Sequence, residues 1–371
     1  MKNNRDNPSN IDFLNVGNPC SMGCDHCFYV EPAPIDVSIS ENEDELIKGI
    51  SDKFQNSSFF IYPKEITTSQ YLLQTISRFN QKSVLSNGLN ITDSFVGRLK
   101  NAGVEEVKIT LYSNPEEQTY FNNNTEAEYR RIKDSIRRVK NGGLKATVNN
   151  VLDKKTARSI EPLCDSCYEL GVQKISFLRF IPRTSRDMER SLVEDDMNII
   201  IPSSENMKKQ YENELYLSFN INFGPNFYGK SLEEARKKIE KSKQFWTKSP
   251  YLCPAINQDY YGISMKSGNI YWCFFLISDP DISKIGNITP DGDVNIDKNV
   301  VDLGENTLRE KLSGNCTSEN CQYQDLCLGG CRSSAYTFAK LKGMPDPLYA
   351  GMDICLTKSY ERVFGKKEDL K

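Results

Sequence analysis

The sequence predicts an α/β fold: a partial (β/α)6 TIM-like barrel followed by a small cysteine-rich domain with a β-hairpin and short helices. Apolar runs alternate with helical stretches over residues 11–182, and seven of the twelve cysteines lie after residue 250. A chain of 371 residues is longer than the roughly 250 to 300 residues that usually share one hydrophobic core. We therefore expect a barrel in residues 1–230, a helical linker in 231–252 and the cysteine-rich domain in 253–371.

Six apolar runs are predicted as buried parallel strands. They are IDFLNVG, SFFIYP, KSVLSNG, EEVKITLYS, KATVNNVL and KISFLRFIP. Helices are predicted at SQYLLQTISRF, DSFVGRLKNAG and EAEYRRIKDSIRRVKNGG. N-caps are expected at Ser69 and Thr92, and C-terminal caps at Gly103, Gly142, Gly143 and Gly171. In such a barrel the loops at the carboxyl ends of the strands carry the chemistry.

The charge and the N-terminal composition narrow the class of protein. The formal net charge of −3 gives no basic footprint for nucleic acid or an anionic membrane. The polar N-terminus lacks the apolar core of a signal peptide, and no run approaches the roughly 18 apolar residues of a membrane span. We expect a cytoplasmic protein. Because cytosolic thiols stay reduced, its cysteines indicate metal binding and not a disulfide framework.

The first cysteines lie in the stretch CSMGCDHCFY, directly after the first predicted strand. Zinc on Cys20, Cys24 and Cys27 would need a fourth ligand, and His26 is a poor one because it is adjacent to Cys27. Covalent haem attachment is excluded because Phe28 follows Cys27. Plain buried thiols are a further interpretation, although a polar loop disfavours it. In the remaining interpretation, three thiolates hold an iron–sulfur cluster and leave one iron open.

The same stretch resembles the signature of the radical S-adenosylmethionine enzymes. The resemblance implies a 4Fe–4S cluster on Cys20, Cys24 and Cys27 whose open iron binds S-adenosylmethionine. It also implies reductive cleavage of that cofactor to a 5′-deoxyadenosyl radical, which abstracts hydrogen from a substrate. The family usually has an aromatic residue before the third cysteine, and here His26 can pack near the adenine. Proton transfer by His26 is a second interpretation.

The resemblance further implies cofactor contacts at the ends of successive strands. The implied contacts are Glu65, Ser86, Asn87, Thr110, Arg131 and Asn149, with Arg179 as a weaker candidate. Glu65 follows YPK where the family has Gly-Gly before its glutamate, so the backbone path differs and Lys64 is an alternative contact for a carboxylate. An ordinary turn at YPKE and a solvated helix face at Arg131 are the structural alternatives.

The cysteine-rich tail has ordered spacings. Cys253 and Cys273 frame a Cx14Gx4C pattern, in which ISMKSGNIYWCFF predicts a hairpin that presents Cys273 beside Cys253. CTSENCQYQDLCLGGC follows, and Cys355 is the last cysteine. Two zinc sites are one interpretation of this tail. Earlier in the chain, Cys164 and Cys167 lie three apart on a predicted helix, where buried packing is favoured over a redox or metal pair.

The tail resembles the SPASM domain, which binds two auxiliary iron–sulfur clusters. The resemblance implies a first auxiliary cluster on Cys253, Cys273 and Cys331, which is one thiolate short. It implies a second auxiliary cluster on Cys316, Cys321, Cys327 and Cys355. Four residues separate the first two of these cysteines, where the family more often has two. Three 4Fe–4S clusters are therefore expected in all.

Enzymes with this combination mostly modify peptides or proteins by crosslinking, oxidation or epimerisation. The resemblance implies a precursor peptide or protein substrate and an electron donor such as flavodoxin or ferredoxin. Because the cluster motif begins at Cys20, we expect precursor recognition within the barrel or by a separate protein. Asp259, Tyr260 and Tyr261 in NQDYYG are weak candidates for a catalytic base.

Three alternatives remain for the activity. Maturation of sulfatases is one, but the family then has an aspartate directly after the cysteine equivalent to Cys273, where this chain has Phe274. Radical oxidation or rearrangement of a small molecule, such as a nucleoside or amino sugar, is another. A non-catalytic iron–sulfur electron carrier is the third, and it predicts no cleavage of S-adenosylmethionine.

Overall fold

The structure is a computed structural model. It describes residues 8–16, 20, 22–24, 26–27, 43–68, 71–212, 214–220, 233, 260–289, 292–297, 307, 310–311, 330–350, 354–355, 359 and 362–363. Several predictions fall outside these residues: the cap at Ser69, Asp259, Cys253, Cys316, Cys321, Cys327 and all of the linker except Glu233. The domain boundaries therefore stay predictions.

Eleven strands and ten α-helices make up the described part. The strands are β1 Asn10–Val16, β2 Ser58–Pro63, β3 Ser83–Ser86, β4 Glu106–Thr110, β5 Lys145–Leu152, β6 Lys174–Arg179, β7 Tyr216–Asn220, β8 Tyr260–Ser264, β9 Asn269–Tyr271, β10 Lys284–Ile288 and β11 Val294–Ile296. The helices are α1 Glu43–Lys53, α2 Tyr71–Arg78, α3 Asp93–Asn101, α4 Pro115–Asn122, α5 Glu126–Asn141, α6 Ile160–Glu169, α7 Met197–Gln210, α8 Pro280–Ser283, α9 Arg332–Leu341 and α10 Pro347–Ala350.

The strands form two sheets. One has the order β11-β10-β9-β8-β1-β2, and the other has the order β3-β4-β5-β6-β7. Strands β3 to β7 are parallel throughout, as are the pairs β1/β2 and β1/β8. The predicted hairpin is present as the antiparallel pair β8/β9. Its first strand joins the barrel sheet beside β1, a pairing that the sequence did not predict.

The amide of Gln81 connects the two sheets. Its Oε1 accepts from Ile61 N at 2.7 Å, and its Nε2 donates to Ile61 O at 3.2 Å and to Ser83 O at 2.8 Å. Gln81 is 4% exposed. The side chain therefore takes the place of a backbone ladder between β2 and β3, where buried amide groups need partners.

Helices pack on one face of the strands. Ile11, Phe13, Val107 and Ile109 belong to one core cluster with apolar residues of α1, α3, α5 and α6. Side chains alternate along a strand, so the neighbouring residues face the opposite way. We call that opposite side the interior face. Its residues, by register, include Asp12, Phe60, Tyr62, Tyr260, Lys108, Thr110, Thr147, Asn149, Lys174 and Ser176.

The six predicted strands are confirmed, and so are the caps that can be compared. Thr92 Oγ1 accepts from Phe95 N, and a capping box of Thr125 and Glu128 starts α5. Gly88 has φ +80, and a Cβ there would lie 2.9 Å from Ile109 Cγ2, so the SNG turn requires glycine. The structure adds β7, a seventh parallel strand too short for its apolar pattern to be distinctive. Among the described residues, no helix has the length and apolar character needed to cross a membrane.

Candidate functional site

The three N-terminal cysteines lie in the loop after β1, at the carboxyl edge of the sheet. Asn15 has φ +58 and interrupts the register of β1 with β2 just before this loop. Such a bulge bends the chain away from the sheet. Cys27 N donates to Cys24 O at 3.1 Å, and Met22 N donates to Cys20 Sγ at 3.5 Å. All three thiols are half-buried.

Three of the predicted cofactor contacts form one hydrogen-bonded group beside this loop. Glu65 accepts from Ser86 Oγ at 2.8 Å and from Asn87 N at 2.6 Å, and it accepts two further bonds from Thr67. The Asn87 side-chain amide donates to Cys20 Sγ at 3.4 Å. Burial raises the pKa of Glu65, which is 2% exposed, although these donors oppose the shift. The turns after β2 and β3 are thus fixed to each other and to the first cysteine.

The cysteine loop offers three thiol side chains as donors. Within the described part of the chain, no three histidine, cysteine or acidic side chains lie close enough together to hold one metal ion. In a cubane each thiolate binds a different iron, so its three sulfur atoms are spaced more widely than the ligands of one ion. The arrangement of Cys20, Cys24 and Cys27 therefore does not conflict with the predicted cluster.

His26 packs against aromatic rings. Its ring lies 5.3 Å from that of Phe121 and 6.5 Å from that of Tyr112, both edge to face. Burial, together with the charges of Arg190 and Arg183, lowers the pKa of His26 to about 4. The imidazole is therefore neutral at physiological pH. The ring thus packs on protein side chains, and its packing near the adenine stays a prediction.

Two arginines near the loop were missed by the sequence analysis. The Arg190 guanidinium lies over Phe121, 5.1 Å from the ring centroid, and its Nε lies 3.4 Å from Asp153 Oδ2. The charge of Arg183 acts on His26 and interacts with Cys27. Arg183 Nη2 is buried and has no hydrogen-bond partner among the described residues. The run RTSRDMER after β6 was the available signal, because it brings positive charge to a strand end.

The other predicted cofactor contacts lie outside the hydrogen-bonded group of Glu65, Ser86 and Asn87. Thr110, the last residue of β4, and Asn149, in the middle of β5, are register partners on the interior face. Arg179 ends β6 and lies over the Phe338 ring at 5.1 Å. Arg131 is exposed on α5, where its charge acts on Glu128. The structure therefore does not bring Arg131 into the group around Cys20.

Of the candidate bases, Tyr260 lies on the interior face and Tyr261 on the other face of β8. The Tyr260 hydroxyl donates to Asp12 Oδ2 at 2.9 Å. Tyr261 packs edge to face on Phe54, with ring centroids 6.3 Å apart. Alternation along the strand separates the two tyrosines. Asp12 is a further candidate that the sequence analysis missed, since it is one acidic residue in an apolar run.

Three of the cysteines assigned to auxiliary clusters are described. Cys273 and Cys331 are each 9% exposed, and Cys355 is half-buried. The helix that follows Cys331 contacts the segment that follows Cys273, because Tyr336 Oη donates to Asp279 Oδ2 at 2.6 Å. The assignment of Cys273 and Cys331 to one cluster stays a prediction.

Cys164 and Cys167 belong to the packed core. Both are 0% exposed within the main hydrophobic cluster. Burial raises the pKa of Cys164 to about 12 and that of Cys167 well above its usual range, so both stay protonated thiols. The prediction of buried packing for this pair is confirmed.

Solved structures with a similar fold are known, whereas no family model matches the chain and no curated protein matches it significantly. Streptococcus suis SuiB bound to the precursor peptide SuiA has a TM-score of 0.65 at 17% identity, over 94% of this chain and 76% of that chain. SuiB bound to S-adenosylmethionine has a TM-score of 0.63 at 15% identity, over 94% and 77%. anSMEcpe with bound AdoMet and the Cp18Cys peptide has a TM-score of 0.63 at 16% identity, over 96% and 95%.

These similarities extend over nearly the whole chain. The protein shares the fold of these structures, a mixed α/β architecture with a parallel sheet, and its C-terminal region is rich in cysteine. The likeness to SuiB and anSMEcpe confirms the α/β fold class that the alternation of apolar runs and helical stretches predicted. At these identities the likeness is one of fold, so the activity is argued separately below.

Proposed function

We propose that this protein is a radical S-adenosylmethionine enzyme that modifies a peptide substrate after translation. The observation that carries the proposal is the loop of Cys20, Cys24 and Cys27 at the carboxyl edge of the barrel, with the Asn87 amide on Cys20 Sγ. The three thiolates would hold a 4Fe–4S cluster whose open iron binds the cofactor. The bound cofactor would supply a 5′-deoxyadenosyl radical for hydrogen abstraction.

The remaining site residues position and shield that chemistry. Glu65 fixes the turns after β2 and β3, so that Ser86 and Asn87 stand beside the loop. Thr110 and Asn149 offer polar groups on the interior face. These contacts, like the cluster itself, follow the sequence resemblance and the placement of the residues at strand ends.

Arg183 is proposed as the residue that pairs with the carboxylate of the cofactor. Its Nη2 is a buried donor with no hydrogen-bond partner among the described residues, and its charge interacts with Cys27. A buried donor without a partner costs roughly 1 to 3 kcal/mol, which a bound carboxylate would offset. Arg131, which is exposed, is the weaker candidate for this role.

A peptide substrate is supported by the similar structures. SuiB is solved with the precursor peptide SuiA, and anSMEcpe is solved with the Cp18Cys peptide. The partly exposed interior face of this barrel is where a substrate residue would meet the radical. The bond formed, the two auxiliary clusters, the flavodoxin or ferredoxin donor and a separate recognition protein stay predictions.

The test is formation of 5′-deoxyadenosine by the anaerobically reconstituted protein with a reductant, with and without the peptide encoded next to its gene. The blank is the Cys20→Ala/Cys24→Ala/Cys27→Ala triple variant. The matched control is Cys164→Ala, which removes a thiol from the core and leaves the loop intact. We expect product from the wild type and from Cys164→Ala but not from the triple variant.

The peptide decides between the remaining activities. Stimulation of cleavage together with a changed peptide mass supports peptide modification. Cleavage that ignores the peptide moves the assignment to a small-molecule substrate. Equal formation of 5′-deoxyadenosine by the wild type and the triple variant would contradict the radical mechanism. The protein would then be interpreted as an iron–sulfur electron carrier.

A further inference from the structure

Asp12 is an acidic group on the interior face that the proposed function leaves without a role. It lies in the middle of β1, in register with Phe60 of β2 and Gly262 of β8. Protein surrounds it, yet part of its surface stays accessible. Burying a carboxyl group is costly without partners, so a group placed here needs a physical reason.

Tyr260 holds this carboxyl group in place. Its hydroxyl donates to Asp12 Oδ2 at 2.9 Å, and the tyrosine is 6% exposed. The bond joins β1, which leads into the cysteine loop, to the hairpin that leads to Cys273. The Asp12–Tyr260 bond thus connects the strand before the N-terminal cysteine loop to the hairpin before Cys273.

The surroundings of the pair are aromatic. The rings of Phe60 and Tyr62 are 4.4 Å apart, and Phe274 lies 6.1 Å from Tyr62 and 6.3 Å from Tyr260. Phe60, Tyr62 and Phe274 are partly exposed, so these rings line an accessible part of the interior face. The carboxyl group of Asp12 is therefore a polar contact beside an aromatic part of the interior face.

The protonation state of Asp12 suits proton exchange. Burial raises its pKa to about 7, and the hydrogen bond from Tyr260 opposes this shift. The titratable groups that face the pair are the Tyr260 phenol on β8, Tyr62 on β2 and Cys273 after β9. Burial, followed by the neighbouring Asp12, Tyr62 and Cys273, raises the pKa of Tyr260 well above its usual range, so the phenol keeps its proton. A general base works best with a pKa near the working pH.

We propose that Asp12 is a catalytic residue that contacts the substrate and accepts a proton from it, with Tyr260 as its positioning residue. The inference rests on the proposed function. Loss of a hydrogen atom leaves a carbon radical, and a polar X–H group on that carbon becomes more acidic. The X–H bond breaks, an O–H bond forms on Asp12, and the electron pair stays on X, leaving a radical anion. The substrate residue therefore carries a hydroxyl, thiol or amide N–H on the attacked carbon.

The experiment compares Asp12→Asn and Tyr260→Phe with wild type in the reconstituted protein, using the peptide encoded next to its gene. Formation of 5′-deoxyadenosine and of modified peptide are measured separately. Glu214→Gln and Tyr168→Phe are the matched controls, because they remove an exposed tyrosine–carboxylate bond of 2.7 Å elsewhere. Infrared difference spectra from about pH 5 to pH 9 follow the C=O stretch of the protonated carboxyl group without any turnover.

We expect Asp12→Asn to retain cofactor cleavage and to lose modified peptide by about 10²-fold or more. Tyr260→Phe should move the midpoint of the pH profile of peptide modification to higher pH. The hydrogen bond from Tyr260 lowers the pKa of Asp12, so its loss raises that pKa. The infrared band that titrates near pH 7 in the wild type should be absent in Asp12→Asn.

Other outcomes separate the two proposals. Modified peptide from Asp12→Asn at the wild-type rate overturns the inference and leaves the proposed function standing. Equal loss of cleavage and modification in Asp12→Asn also overturns it, because the residue is then structural. A wild type that forms no 5′-deoxyadenosine overturns the proposed function, and the inference falls with it.

Discussion

The side-chain amide of Asn87 donates to Cys20 Sγ at 3.4 Å, while the backbone N–H of the same residue donates to Glu65 at 2.6 Å. One residue at the end of β3 therefore connects the first cysteine of the loop to the buried carboxylate at the end of β2. Hydrogen bonds to the sulfur ligands of an iron–sulfur cluster tune its reduction potential.

Asn87→Ala should lower the potential of the cluster, because the amide that stabilises the reduced, more negative state is lost. An EPR-monitored redox titration of the reconstituted protein measures this potential. Asn101→Ala, at the exposed end of α3, is the control and should leave the potential unchanged. An unchanged potential in Asn87→Ala would show that the amide does not contact the ligand sulfur in the loaded protein.

Glu65→Gln should destabilise the fold, because both carboxylate oxygens of Glu65 accept hydrogen bonds, four in all. A glutamine amide turns one acceptor into a donor, and an unsatisfied buried group costs about 1 to 3 kcal/mol. Urea unfolding of Glu65→Gln, Ser86→Ala and the double variant measures the coupling. Additive losses would contradict a shared network.

Gln81→Ala should cost about 2 to 4 kcal/mol of unfolding free energy, because it leaves two backbone groups of Ile61 without partners. Chemical denaturation measures the loss. Gln74→Ala removes an exposed glutamine from α2 and should be nearly neutral. A similar small effect in both variants would mean that the two sheets do not depend on the Gln81 bridge.

Arg183→Met should weaken binding of S-adenosylmethionine by about 10-fold to 100-fold, the worth of a hydrogen bond to a charged group. Isothermal titration of the reconstituted protein measures the affinity. Arg186→Met, which removes an exposed arginine three residues later, should bind normally. Equal affinity in both variants would move the carboxylate contact to another residue.

Asp12→Asn should change how stability depends on pH. The pKa of Asp12 is raised to about 7 in the folded protein from the usual 3.8. Folding therefore favours the protonated form. The stability from this group is fully present below pH 3.8 and is lost progressively until the pH passes the folded pKa of about 7. Asparagine does not ionise, so the variant does not have this loss. Each pKa unit is worth about 1.4 kcal/mol, and partial exposure reduces the effect. Above pH 7 the free energy of unfolding of Asp12→Asn should therefore exceed that of the wild type by on the order of 1 to 3 kcal/mol. If the free energy of unfolding changes with pH in the same way in Asp12→Asn and in the wild type, the pKa of Asp12 is not raised in the folded protein.

Much of the barrel was predictable because its signals are local. The six predicted strands and the caps at Thr92 and Gly143 follow from apolar periodicity and from the backbone conformations that glycine permits. The spacing of Cys20, Cys24 and Cys27 was likewise visible, since a loop of eight residues must bring its thiols together. The strand ends also located Ser86 and Asn87 beside that loop.

Contacts between distant segments carried no such signal. Asp12 and Tyr260 are 248 residues apart, and only the parallel pairing of β1 with β8 brings them to one face. The same holds for Gln81 between the sheets and for Arg183 near Cys27. Local patterns of the sequence were enough to predict the fold class and to locate the cysteine loop. The polar groups around that loop became visible only in the folded chain, because strand register and burial, and not local spacing, bring those side chains together.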